Sequence, residues 1–172
     1  MRVFQETQRF NQWWLKILKL MMLGLIIYLC YQWFYLEKQA NNIAADDTTG
    51  QLVVIGTLLL TSGLFYILRL RTSIDERGIH YQFIPFHFKV KTTTWNNIEA
   101  CFTRTYEPIK EFGGWGYRIG FKGQALNVKG TKGIQLVFKN GKKLLIGTQN
   151  PEEAQRVIDR YFKKEIDKRI QQ

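Results

Sequence analysis

Two long stretches without charge constrain this chain more than anything else in it. No charged residue occurs from Leu20 to Leu36, and none from Thr48 to Leu68. Both stretches are apolar all round rather than along one stripe, as a helix surrounded by lipid must be. At about 1.5 Å of rise per residue each is long enough to cross a bilayer. The sequence therefore predicts a membrane anchor over residues 1–71, with spans at about 17–36 and 50–69 and a polar loop between them.

The flanks agree. Trp13 and Trp14 stand before the first span, and Trp33, Phe34 and Tyr35 close it, which gives an aromatic group at each interface. Lys16 and Lys19 can extend their ammonium groups to water on one side, and Arg69 and Arg71 follow the second span, so these six residues (Trp13, Trp14, Lys16, Lys19, Arg69, Arg71) are the expected membrane-interface anchors. The connector holds Lys38 against Glu37, Asp46 and Asp47, whereas Arg2, Arg9, Lys16 and Lys19 precede the hairpin. Positive flanks stay inside, so both termini are expected in the cytoplasm of a multi-pass protein. A signal peptide cleaved near Ala44-Ala45 fits poorly with the polar stretch before the apolar core and with that core's length. Gly56 and Gly63 share a helical face with Thr57 and Thr61 nearby, a surface suited either to the first span at Gly24 or to no dedicated partner.

Charge is distributed unevenly. Residues 1–71 hold 7 Lys and Arg against 4 Asp and Glu, and residues 72–172 hold 18 against 10, so the second part carries +8 of the total +11. Such a domain is attracted to anionic headgroups. Its basic residues are scattered, with no run longer than pairs such as Lys142-Lys143, and a phosphate-tracking stripe for nucleic acid is not visible. Cys30 and Cys101 are the only cysteines, too few for a disulfide framework or a metal set.

After Arg71 the pattern changes to alternation with closely spaced turn residues, the mark of a meandering antiparallel sheet. Phe86, Phe88 and Val90 alternate with His87, Lys89 and Lys91, predicting a half-buried strand with its apolar face inward. Ile98, Ala100, Phe102 and Arg104 are expected to share one side of the next strand. The segment EPIKEFGGWG breaks the alternation; strands resume in YRIGF and QALNV, and GIQLVF and KLLIG flank Asn140-Gly141, a two-residue hairpin signal. Pro151, Glu152 and Glu153 open an amphipathic helix over about 151–168, whose stripe is Ala154, Val157, Ile158, Tyr161 and Phe162.

A membrane α-hairpin followed by a mainly-β domain of about seven antiparallel strands and one C-terminal amphipathic helix resembles the bacterial pleckstrin-homology-like (PH-like) domain family. The likeness covers residues 72–166 and rests on Ile74-Asp75-Glu76-Arg77-Gly78-Ile79, the Trp95-Asn96-Asn97-Ile98 turn, and the hairpin running into Ile146-Gly147-Thr148. The resemblance implies a bent antiparallel barrel capped by the helix, in the bacterial inner (cytoplasmic) membrane, with a role in binding or assembly.

No reactive constellation stands out. His80 and His87 lack a carboxylate or cysteine at ligand spacing, and GGWG is not a dinucleotide fingerprint; no enzyme activity, cofactor or metal is expected. The segment that offers most is Gly113, Gly114, Trp115, Tyr117 and Arg118. Trp115 either packs under the loop, with Arg118 paired to Glu107 or Glu111, or joins Tyr117 and Arg118 in a contact surface for a headgroup or a partner protein. The expected function is a non-enzymatic interaction module that binds membrane lipid, a membrane-protein partner or a second copy. The alternative is an accessory subunit of a larger membrane complex.

Overall fold

The computed structural model describes residues 3–40, 43–120 and 122–170, with side chains to Lys163. Asn41 and Asn42 of the expected polar loop, Phe121 of an expected strand, and the side chains of the last helical turns lie outside the described residues. The chain forms two compact units: Phe10–Ile67, and Met1–Arg9 together with Leu68–Gln172.

The first unit is a helical hairpin. Helix α1 covers Trp13–Cys30 and continues through a π-helical turn at Tyr31–Tyr35, and α2 covers Thr48–Ile67. Both are long and apolar enough to cross a membrane, and hardly any of their surface is buried within the molecule. Their side chains meet in antiparallel order: the Lys19 ammonium lies 3.9 Å from the Tyr66 ring centre, and the Ser62 hydroxyl is 3.6 Å from the Met22 sulfur. At the far end Leu29, Trp33 and Ala40 pack with Ile43, Val54, Ile55 and Leu58. Asp47 starts α2 by accepting a hydrogen bond from the Gly50 N–H, and Gln51 reaches back to the Ala44 and Ala45 carbonyls. The first of these bonds satisfies an N–H group that a helix start leaves open, and the Gln51 pair ties the preceding loop to the helix.

The second unit contains two open sheets rather than one closed barrel. The first has the order β1 (Phe4–Arg9), β2 (Arg69–Ile74), β3 (Gly78–Ile84) and β4 (Lys91–Thr94), antiparallel throughout. The second has the order β5-β8-β9-β7-β6, with β5 at Ile98–Thr105, β6 at Gly116–Gly120, β7 at Gly123–Asn127, β8 at Lys132–Phe138 and β9 at Lys143–Gly147. Among the described residues nine strands thus stand in place of the expected seven or so, and β7 pairs with β9 in parallel, against the expected all-antiparallel meander. The helix α3 (Pro108–Phe112) interrupts the expected loop, and α4 (Pro151–Ile170) buries Ala154, Val157 and Ile158 as its stripe predicts.

The strand β1 corrects the boundary of the anchor. Its sequence, FQETQR, is mostly polar, yet alternate residues do the work of a strand: Phe4 and Gln8 are buried, and the Gln8 amide donates to the Gly147 carbonyl at 2.7 Å. Between them, the Glu6 carboxylate accepts from the Thr148 hydroxyl at 2.6 Å and from the Gln149 N–H at 2.8 Å, bracing the junction of β9 and α4. Burying Phe4 contributes about 2 kcal/mol. Arg69 and Arg71 likewise lie in β2, opposite Arg9 and Thr7, instead of closing a helix that ends at Ile67. The two helices are therefore inserted into the connection of a β-hairpin.

Two further local readings change. In β5 the register shifts between Ile98 and Ala100, so Ile98 and Cys101 are buried while Phe102 is exposed. An extra residue in a strand flips every side chain beyond it. The β8–β9 turn is closed by the Phe138 N–H on the Lys142 carbonyl, leaving three residues in the loop, of which only Gly141 has positive φ (78°). That is a type I turn with a glycine bulge in place of a two-residue turn.

Candidate functional site

The segment singled out by the sequence is built inward more than outward. α3 ends at Gly113, whose φ of 71° lets the Gly113 and Gly114 N–H groups return to the Ile109 and Pro108 carbonyls at 2.9 Å each. Only glycine takes that left-handed turn without strain. The half-buried Trp115 donates its ring N–H to the Gly130 carbonyl at 3.0 Å, and the Gly116 N–H binds the Asn127 side chain at 2.8 Å. Arg118 is exposed and turns its Nε back to the Trp115 carbonyl at 3.1 Å. It does not reach Glu107 or Glu111; Lys110 pairs with Glu107, and Arg104 takes Glu111. Tyr117 packs edge-on against His87 at 5.6 Å and beside Phe86 at 5.7 Å.

Arg104 is the functional-looking residue that sequence reading missed. Its guanidinium grips Glu111 through Nη1 and Nη2, at 3.1 and 2.8 Å, and its Nε donates to Gln135 at 3.0 Å. The Glu111 carboxyl is held below the usual carboxylate range, first by the Arg104 bonds and then by the Glu107 N–H and the nearby Lys122, which together outweigh its partial burial. Only a short sequence interval separates Arg104 from Glu111, but no periodicity marks them, because a strand end, a turn and a helix intervene.

Beside this pair an open groove of about 1000 Å³ runs across the five-stranded sheet toward Tyr81 of β3. Arg104, Lys122, Lys142 and Lys143 supply its charge, and Phe102 and Ile119 supply exposed apolar surface. It is a basic surface with apolar footholds, suited to a ligand that combines carboxylate or phosphate with hydrocarbon.

The segment between β3 and β4 reverses its expected orientation. It is not a strand: His87 is buried, while Phe86, Phe88 and Val90 are exposed at 54%, 93% and 57%. The His87 Nδ1 accepts the Phe83 N–H at 3.3 Å, which places the remaining proton of a neutral ring on Nε2. Burial holds this imidazole below its usual pKa, and the charge of Lys91 lowers it further. The Gln82 amide donates to the carbonyls of His87 and Phe88, at 3.2 Å each, so the backbone is braced from within.

His80 is the second histidine, 3.1 Å from the Asp75 carboxylate, with Thr92 on its other nitrogen at 2.9 Å. Partial burial would raise the Asp75 carboxyl, but its bonds from His80 and from the Arg77 and Gly78 N–H groups bring it below the ordinary value. Burial pushes the Cys101 thiol far up, which keeps it protonated at neutral pH. Among the described residues no group of three or more His, Cys, Asp or Glu is arranged to hold a metal. Trp13 and Trp14 are exposed at the start of α1, as is Lys16.

No protein-family model matches the sequence, and no curated protein is significantly similar to it.

Proposed function

We propose that the chain is a membrane-anchored interaction module without catalytic chemistry of its own, presenting a basic β domain to an anionic partner at the cytoplasmic face of a bacterial inner membrane. One observation carries the reading: Arg9 and Arg69 are register partners, and the 58 residues Phe10–Ile67 with their two apolar helices leave and return between them. Strands that pair cannot lie on opposite sides of a bilayer. A two-span hairpin inserted there keeps both β1 and β2 on one face, and Arg9, Lys16, Lys19, Arg69 and Arg71 on that flank favour the cytoplasm. The PH-like reading draws support from two sheets followed by an amphipathic helix. The parallel β7–β9 pair and the added β1 depart from the antiparallel barrel that the resemblance implies.

The groove gives the module its partner chemistry. Four cations around Phe102 and Ile119 suit an acidic, partly apolar segment of a membrane protein, with an anionic headgroup as the other ligand of the same chemistry. The full-length protein, extracted in mild detergent and weighed with its bound partners, tests this. Reversing Lys142 and Lys143 to Glu should release whatever co-purifies or abolish salt-sensitive binding to anionic vesicles. Unchanged binding by the reversed variant contradicts it.

A second reading, an accessory subunit of a larger complex, has its own support in the helices. A Cβ added at Gly24, Gly56 or Gly63 would meet nothing within 4 Å, so these glycines are not consumed by packing inside the hairpin. Small residues facing lipid permit close approach of another helix. Stoichiometric co-purification that survives reversal of Lys142 and Lys143 favours this reading over the first.

A further inference from the structure

Phe88 is the most exposed large apolar side chain among the described residues, and it sits in a braced loop rather than a loose one. Gln82 holds the loop backbone, and His87, wedged against Tyr81 and Tyr117 on the inner side, fixes which side chains face out. The outward set is Phe86, Phe88, Lys89, Val90 and Lys91, aromatic and aliphatic groups alternating with two ammonium groups and no carboxylate. Exposing so much apolar surface to water in a fixed geometry costs free energy unless something covers it.

Its place in the fold says what does. Ile84, the last residue of β3, is the register partner of Arg69, and Arg69 is the partner of Arg9. The loop therefore leaves the same end of the sheet as the two connections that run into the helices. A single residue, Leu68, separates α2 from β2, and three residues, Phe10 to Gln12, separate β1 from α1. The opposite end of the sheet, at the Asp75–Arg77 turn, lies roughly 20 Å away along strands that rise about 3.3 Å per residue.

We propose that residues 86–91 form a foot resting in the headgroup region of the bilayer that the hairpin crosses, with Phe86, Phe88 and Val90 at the acyl boundary and Lys89 and Lys91 against anionic headgroups. The inference rests on the hairpin being membrane-spanning, and it adds a third point of attachment that would fix the tilt of the β domain. Aromatic rings with neighbouring lysines are the side chains that interfacial segments use, the rings entering the boundary layer and the ammonium groups meeting lipid phosphate.

The test uses the full chain in nanodiscs containing anionic lipid, with Cys30 and Cys101 replaced by Ala and a nitroxide on a single cysteine introduced at Phe88, Glu76 or Leu59. Collisions with oxygen report lipid, and collisions with a polar nickel chelate report water. The proposal expects the label at 88 to be oxygen-accessible and chelate-shielded, roughly 5–10 Å into the boundary region, and the label at 76 to be chelate-accessible. Changing Lys89 and Lys91 to Gln should move the label at 88 toward water in anionic discs while leaving it unmoved in zwitterionic ones. A label at 88 as chelate-accessible as that at 76, with 59 reading lipid, overturns the foot and leaves the hairpin standing. Labels at 59 and 88 both reading water overturn the hairpin and the foot together. A label at 88 shielded from both reagents assigns the loop to a protein neighbour instead and also overturns the proposal.

Discussion

Two segments of the β domain make an instructive pair. Gly113–Arg118 holds the residues that look functional in sequence, and the structure uses most of them internally: Trp115 on the Gly130 carbonyl, Gly116 on Asn127, Arg118 on the Trp115 carbonyl. Phe86–Lys91 reads in sequence as an ordinary half-buried strand, and in the structure it turns its aromatic residues out and its histidine in. Composition identifies residues able to make contacts; only the local hydrogen bonding decides whether those contacts are already made. A glycine-tryptophan motif is as useful for closing a loop as for binding a ligand, and alternation predicts burial only if the segment pairs as a strand.

The contrast can be broken by substitution. The largest effect is expected next to the first segment, at Glu111. Changing it to Ala leaves the Arg104 guanidinium with only Gln135 and the Thr105 carbonyl and frees the Glu107 N–H, and should cost the β domain about 3 kcal/mol, read as a lowered unfolding midpoint of the full-length protein in detergent. Because the Glu111 carboxyl is depressed, its contribution is complete above the ordinary carboxylate range and is lost only as pH falls through the lowered value. Trp115→Ala comes next, at about 2 kcal/mol, through lost packing and one lost hydrogen bond. A Trp115→Ala protein as stable as the parent would return this segment to the class of free contact surfaces.

The second segment should respond to acid before it responds to truncation. His87 is neutral when folded and its pKa is depressed, so below about pH 6.5 an opened loop takes up a proton that the closed loop refuses. Stability of the loop therefore falls as pH falls through that range, which backbone hydrogen exchange at residues 83–90 would detect. His87→Phe should remove the pH dependence of the protection factors; protection factors insensitive to pH in the parent would contradict the buried neutral ring. Smallest of all is Phe88→Ser, with a change within about 0.5 kcal/mol in detergent despite the size of the ring removed, since nothing in the domain covers it.

Physical reasons separate what was legible in the sequence from what was not. The helices were visible because a charge-free run as long as a bilayer is thick suits lipid far better than water, and the C-terminal helix because its stripe repeats at three and four residues. Strand β1 was hidden: FQETQR offers one large apolar residue, and its polar side chains are satisfied by Gly147, Thr148 and Gln149, about 140 positions away. The sides of β5 could not be assigned because the shift near Ala100 is a property of pairing with β8. At the candidate site the break in alternation at EPIKEFGGWG was legible, whereas the Arg104–Glu111 pair and the basic groove depend on how β5, β6, β7, β8 and β9 come together.

What matters most is that a helical hairpin, long and apolar enough to cross a membrane, is inserted between two paired strands, so that under the proposed function both strands stay on one membrane face. Cysteines at Thr7 and Arg71, register partners that are both exposed, test this in a chain otherwise free of cysteine and reconstituted in sealed vesicles. Cross-strand pairs lie about 4.5–5.5 Å apart at Cα, within disulfide reach. The account predicts that mild oxidation joins the two cysteines and that an impermeant thiol reagent modifies both from the same side when they are reduced. Modification from opposite sides, with no disulfide formed, would contradict it.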